Sequence, residues 1–294
     1  MTIRHLRIFV AVCSEGSTTK AAEKLYLAQP TVSLAISELE KHYNVRLFDR
    51  ISKRLHLTDA GRRFLQYAQH ITGLFDEMEE GVRRWETSGT LRLGSSITIG
   101  SRLLPGLIRR FSEGCPDVEV KARIGNSEEI EQLVLDNRVD FGLIEGLSHS
   151  PYLHSEIFLA DELVLVCPPG HSWTAEGDGI RVEELAEERL LMRERGSGGR
   201  ELLESILRLH DLEVEPAWES TSTQAIIGAV AEGLGVAVLP LLLVEQPLKE
   251  GRLQRVAIRD VSFQRNFVII HHKNKYLTAF AKEFIELCME CRHK

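Results

Sequence analysis

The stretch STTKAAEKLYLAQPTVSLAISELEKHY, Ser17 to Tyr43, leaves the chain little conformational choice. It holds two short helical patterns back to back. The first hides Ala21, Ala22 and Leu25; the second hides Val32, Ala35 or Ile36, and Leu39. Ser17 or Thr18 can cap the first helix. Pro30 suits the first turn of the second, where its missing N–H has no partner to lose. Only Tyr26-Leu27-Ala28 remains for the turn between them. Ahead of the pair, Leu6, Phe9, Val10 and Cys13 recur at helical spacing, and Gly16 ends that pattern. The second helix then turns Gln29, Thr31, Ser33, Leu34, Ser37 and Lys41 outward. Two helices joined this tightly match a helix-turn-helix, whose second helix enters the major groove. Gln pairs with adenine, Ser and Thr reach several base edges, and an apolar side chain touches a thymine methyl. An ordinary helical bundle with a solvated face would show the same periodicity, so the residues that follow matter.

Those residues are basic. NVRLFDRISKRLHLTDAG interleaves Arg46, Arg50, Lys53, Arg54 and the nearby Arg62 and Arg63 with Leu47, Phe48, Leu55 and Leu57. The alternation around Arg54-Leu55-His56-Leu57 predicts a short hairpin, a wing whose cations contact phosphates. Thr58 or Asp59 caps the next helix. Residues 1–65 hold 11 Lys and Arg against 6 Asp and Glu, while the remaining 229 hold 25 against 37. A basic head on an acidic body points to a polyanionic partner for the head.

Two segments, LRIFVAVCSEGSTTKAAEKLYLAQPTVSLAISELE and VRLFDRISKRLHLTDAGRRFL, closely resemble the LysR-type transcriptional regulators. A hydroxyl cluster precedes Ala-Ala, a Gln-Pro opens the recognition helix and a Leu-Glu lies toward its end. Leu-Phe-x-Arg and Leu-Thr-x-Ala-Gly follow in order. The departures are Thr18 where the family usually has Phe, Ala28 where Ser is common, and Leu34 where Arg or Gln is frequent. The resemblance implies a winged helix-turn-helix over residues 1–58 that contacts double-stranded DNA. Its contacts would fall on Thr18, Gln29, Pro30, Thr31, Ser33, Leu34 and Ser37, with Arg50, Lys53 and Arg54 on the wing.

Residues 59–88 form one long helical pattern without Pro. Phe64, Ala68, Ile71, Phe75, Met78, Val82 and Trp85 repeat at spacings of four and three, a heptad seam flanked by charges. A self-pairing helix supplies the partner that a helix-turn-helix needs for a second half-site. The resemblance implies a homodimer through this linker helix and assembly into a homotetramer, with RNA polymerase compatible as a further partner.

From Thr90 onward, apolar runs alternate with amphipathic helices, an α/β pattern. Ser, Thr, Asn or Gly recurs where helices follow strands, and such helix starts favour anions, although each hydroxyl can equally cap its own helix. This half, residues 90–294, resembles the family's effector-binding domain, of periplasmic-binding-protein type. The resemblance implies subdomain I at about 90–162 and 265–294, and subdomain II at about 163–264, crossing near Glu162 and Gln264. It places the contacts to a small, anionic effector at Ser95, Ser96, Thr98, Asn126, Ser127, Glu145, Ser197, Gly198, Arg200, Thr221, Ser222 and Thr223. GSSITIGSRLLPGLIRRF, RIGNSEEIEQLVLDNRVDFGLIEG and RERGSGGRE most resemble the CysL-like branch, linked to sulfur metabolism, so a sulfur oxyanion is the favoured ligand. In that branch Thr usually stands where this chain has Gly199. Carbon-fixation regulators share much of the pattern, which keeps a carboxylate or sugar-phosphate effector as the alternative.

Other classes fit poorly. No run of about 18 uncharged apolar residues exists to span a membrane, and the first residues lack a signal-peptide pattern. The expected location is the cytoplasm. Five scattered cysteines fit reduced thiols, and Cys288-Met-Glu-Cys291 has only His293 nearby, short of the four ligands that zinc needs. No metal or other cofactor is expected. The chain has no Walker A sequence, no G-x-G-x-x-G after a strand, no H-E-x-x-H and no G-x-S-x-G, so no catalytic residues are assigned and no enzyme is expected. A solute-binding protein carrying a helical head is the remaining, weaker alternative.

Overall fold

The computed structural model describes residues 1–51, 54–83, 89–175, 179–259 and 261–293. They fall into two compact units, Met1–Ser88 with Leu135–Arg138, and Gly89–Val134 with Val139–Lys294.

In the first unit, helices α1 (Ile3–Glu15), α2 (Thr18–Lys24) and α3 (Gln29–Tyr43) precede a hairpin of β1 (Phe48–Ile51) and β2 (Arg54–Leu57), then the long helix α4 (Asp59–Arg83). Gly16 ends α1 in the left-handed region at φ 61°, with its N–H on the Val12 carbonyl. Ser17 caps α2 through the Lys20 N–H. The core joins Leu6, Phe9 and Val12 to Ala21, Ala22, Val32, Ala35, Ile36 and Leu39. Both Ala35 and Ile36 are therefore buried. The Leu-Thr-x-Ala-Gly run has a mechanical purpose. The Thr58 hydroxyl donates to the Arg46 carbonyl at 2.7 Å and accepts the Gly61 N–H at 2.9 Å, which caps α4. A Cβ on Gly61 would sit 2.1 Å from the Leu47 carbonyl oxygen, so only glycine lets α4 approach the strand start.

The heptad seam on α4 needs correction. Phe64 and Ala68 pack into the core of their own unit, with the Phe64 ring 5.0 Å from Phe9. Periodicity reports an apolar stripe and not which surface covers it. Beyond that point Ile71 and Met78 are exposed, while Phe75 lies under the Arg7 guanidinium at 5.3 Å. Arg7 also pairs with Asp76 and Glu79. Trp85 lies outside the described residues, as does the side chain of Val82.

The second unit is α/β. Its first sheet holds β3 (Thr90–Ser96), β4 (Glu119–Gly125) and β5 (Phe141–Glu145), with β3 parallel to both neighbours. Between them run α5 (Ile97–Arg102), α6 (Leu104–Gly114) and α7 (Ser127–Leu135). Strand β6 (Leu153–Cys167) is one 15-residue strand. Its first part pairs antiparallel with β11 (Gln264–His272), from Leu153↔His272 to Glu162↔Gln264. Its last part pairs with β9 (Ala237–Pro240) and β10 (Gln254–Val256). The pairing of β6 with β11 ends at Glu162↔Gln264, and beyond it β6 pairs with β9 and β10.

Strands β7 (Leu191–Arg193) and β8 (Trp218–Ser220) are parallel neighbours, with helices α8 (Gly198–Leu209), α9 (Thr223–Ala231) and α10 (Leu241–Lys249) around them. Helix α11 (Ala279–Met289) returns to the first sheet. The end of β6 is buried on both faces. Leu163, Leu165 and Cys167 enter one core with Met192, Leu203 and Val238; Val164 and Val166 enter another with Ile226, Ile227 and Leu239. That explains its continuous apolar run.

Candidate nucleic-acid interface and effector cleft

The start of α3 stands open to solvent. Gln29, Pro30, Thr31 and Ser37 are exposed, Ser33 is half-buried, and Leu34 is 58% exposed. Gln29 Nε2 donates to Ser33 Oγ at 2.8 Å and to Thr18 Oγ1 at 3.4 Å. This ties Thr18, at the start of α2, to the same face. Val32, Ala35, Ile36 and Leu39 anchor the helix from behind. The hairpin pairs Phe48 with Leu57 and Arg50 with Leu55. Lys53 lies outside the described residues, as do the side chains of Arg50 and Arg54.

In the second unit the residues singled out at strand ends divide into two groups. Ser95, Ser96, Thr98, Ser127, Glu145, Ser197, Arg200 and Thr223 are buried. Thr221 and Ser222 are exposed, and Ser222 caps α9 by accepting the Ala225 N–H. Asn126 caps α7 by accepting the Glu129 N–H at 2.9 Å, and its amide donates to the Arg195 carbonyl. Ser127 Oγ bonds the Glu145 backbone, donating to its carbonyl and accepting its N–H. The Glu128 N–H donates to the Gly196 carbonyl, joining the start of α7 to the loop before α8. A Cβ on Gly198 would lie 2.1 Å from the Glu145 carbonyl oxygen, so glycine permits this approach.

Charged groups that local patterns do not reveal fill the cleft. Arg265, on β11, is the register partner of Asp161 on β6. Its Nε and Nη2 lie 2.7 Å from Asp161 Oδ2, and its Nη1 lies 2.5 Å from Glu145 Oε2. Despite that contact, Nη1 makes no well-aligned hydrogen bond. Thr98 N–H donates to Glu145 Oε1 at 2.9 Å. Burial disfavours the charged form of Glu145, yet Arg265 and the Thr98 amide outweigh it, and the carboxyl titrates below its ordinary value. At Asp161 burial prevails over Arg265, and the carboxyl titrates above its ordinary value.

Arg200, expected to meet an anion, is already engaged. Its Nε pairs with Glu204 at 2.6 Å, and its Nη1 bonds Glu219 and the Arg193 carbonyl. Arg193, which the sequence reading missed inside β7, forks onto Glu194 at 2.7 and 2.8 Å and donates to Thr223 Oγ1 at 3.1 Å. Glu145, Ser197, Gly199, Arg193, Arg200 and Arg265 help to enclose about 10 Å³, room for no more than one water.

Residues 3–62 match the bacterial regulatory helix-turn-helix protein, lysR family, and residues 85–291 match the LysR substrate binding domain. The chain belongs to the LysR family. It is thus a DNA-binding transcriptional regulator with an effector-binding domain. It is 38% identical over 288 residues to the transcriptional regulator YeiE of Escherichia coli (strain K12), covering 98% of this chain and 97% of that one. It is 32% identical over 268 residues to the regulator CysL of Bacillus subtilis (strain 168), covering 90% and 89%. The Synechocystis PCC6803 CcmR regulatory domain, solved in complex with 2-PG, superposes with TM-score 0.64 at 25% identity. That match covers 69% of this chain and 97% of the domain. YeiE and CysL are regulators of transcription. No described helix is long and apolar enough to cross a membrane.

Proposed function

We propose that this LysR-family regulator reads operator DNA with the outward face of α3, Thr18, Gln29, Pro30, Thr31, Ser33, Leu34 and Ser37. Arg50, Lys53 and Arg54 on the hairpin hold phosphates. The observation that carries the reading is the α3 face itself: a Gln–Ser pair and short hydroxyls, exposed at the start of a helix that is locked from behind. Short side chains bring that helix close to base edges. The chain acts as a homodimer through the exposed row around Ile71 and Met78 on α4, and assembles further into a tetramer that meets RNA polymerase. Its site of action is the cytoplasm.

The cleft between the subdomains takes a small oxyanion, a sulfur oxyanion first. The buried Nη1 of Arg265 and the hydroxyls of Ser96, Thr98 and Ser197 support that choice. A carboxylate or sugar-phosphate ligand is the second reading, and the similarity to the CcmR domain, whose structure holds 2-PG, favours it.

A gel-shift of the full chain with its own upstream DNA, at two salt concentrations, tests the DNA reading. We expect a discrete complex whose log affinity falls by about 0.9 per neutralised phosphate for each unit of log salt. No complex at low salt would contradict it.

A further inference from the structure

The cleft resolves one electrostatic question in an unusual way. It places three guanidinium groups, Arg193, Arg200 and Arg265, where an anion would be expected to bind. Each already has a carboxylate: Glu194 for Arg193, Glu204 and Glu219 for Arg200, Asp161 and Glu145 for Arg265. An oxyanion added to this arrangement would meet five carboxylates against three cations. Burying an anion without a counter-charge is costly. An arriving anion therefore has to replace one of the resident carboxylates.

The geometry singles out which one. Arg193 and Glu194 are adjacent in the chain and joined by two hydrogen bonds. Asp161 holds Arg265 through both Nε and Nη2, on strands whose register fixes the pair. Glu204 and Glu219, at Arg200, are themselves partly open to solvent. Glu145 differs. Its carboxylate lies against Nη1 of Arg265, the one nitrogen of that guanidinium with no well-aligned hydrogen bond, on a residue only 6% exposed. Gly199 lies beside that nitrogen, where an added Cβ would come 3.4 Å from Nη1 and 3.2 Å from Leu163 Cδ2. Besides Arg265, the Glu145 carboxylate takes the Thr98 N–H at 2.9 Å, with the Ser96 and Thr98 hydroxyls also facing it.

We propose that Glu145 is a resident competitor for the effector. Its carboxylate occupies the Arg265 Nη1 and Thr98 N–H contacts that a small oxyanion takes on binding, so the anion enters as that carboxylate leaves. Arg265 is the anchor of the bound anion, and Asp161 holds that anchor in place. This rests on the oxyanion reading of the cleft and adds to it how the site resists filling. When the competent arrangement is a minor one, apparent affinity falls by its fractional population.

The test uses the full-length chain and three probes, sodium sulfite, sodium sulfate and sodium phosphate, at fixed ionic strength, read by titration calorimetry. Glu145→Gln keeps the shape and an acceptor for the Thr98 amide but removes the competing charge. If Glu145 is displaced only about a tenth of the time or less, E145Q binds at least one probe roughly tenfold tighter than the wild type. Gly199→Ala puts a Cβ 3.4 Å from Nη1 and 3.2 Å from Leu163 Cδ2 and weakens the same probe several-fold. If the wild type binds a probe and E145Q binds it equally or more weakly, Glu145 is a ligand contact and the proposal fails while the oxyanion reading stands. If neither protein binds any probe, both fail, and the DNA-binding reading is untouched.

Discussion

The two ends of this regulator present their binding groups in opposite ways. On α3 most of the polar side chains stand in solvent, with Gln29 donating to Ser33 and Thr18. In the cleft every guanidinium is buried against a carboxylate of the same chain. DNA is large and brings its own charge, so the head can wait open. A small ligand must be surrounded, so its site closes on itself and its groups must be satisfied meanwhile. The lesson is that an open polar face signals a macromolecular partner, whereas a self-paired cluster signals a ligand that has to compete.

The largest expected effect separates the two regions. Arg265→Gln leaves Asp161 and Glu145 buried without their cation, and removing one partner of such a pair costs about 3–5 kcal/mol. Chemical denaturation should show that loss in the α/β unit, with helix-turn-helix DNA binding kept at low denaturant. A cost near zero would show that the cluster is solvated and that the contrast is false.

Leu39→Ala is the reciprocal variant. Leu39 is 1% exposed in the helical core, and its truncation should cost about 2–5 kcal/mol. The damage should fall on operator binding while anion binding to the cleft persists. Loss of both functions together would mean that the units do not act as separate folding bodies.

These variants also show what the sequence made legible. The helix-turn-helix was readable because its signals are local: Ser17, Pro30 and the apolar positions around them lie within one short segment. Thr58 and Gly61 were readable as a motif, and the structure supplies the reason, a cap and a close approach to Leu47. The α4 stripe was readable as a stripe, but Phe64 and Ala68 belong to the intramolecular core because periodicity does not name a partner. The hydroxyls at helix starts pointed toward the cleft, yet its charges were hidden. Asp161 and Arg265 lie 104 positions apart and meet only through strand pairing, and Arg193 sits inside a short buried strand.

A smaller effect sharpens the open side of the comparison. Ser33→Ala or Gln29→Ala should cost about 1–3 kcal/mol of operator affinity if either side chain reads a base. Binding to unrelated DNA should change little, because phosphates supply that affinity. Equal losses on both DNAs would place these residues in backbone positioning instead.

The smallest effect is one of pH, in the α/β unit. Burial lowers the titration points of His271 and His272, with His154 adding to it at His271 and both His271 and Lys275 at His272. Their folded-state values thus lie below the unfolded one, and the unfolded chain binds more protons on acidification. Their contribution is fully present above about pH 6.5 and is lost as pH falls below it. His272→Asn should flatten part of that slope in melting temperature; an unchanged slope would exclude His272 as a contributor.

The most direct test of the central claim is a hydroxyl-radical and methylation-interference footprint of the full chain on its selected operator. The account predicts two protected major-groove segments about 34–36 Å apart, or a whole number of turns, on one face of the duplex. It also predicts that both weaken together in Ser33→Ala. Protection confined to the minor groove, or an unaltered footprint in that variant, would contradict the claim that α3 reads the DNA.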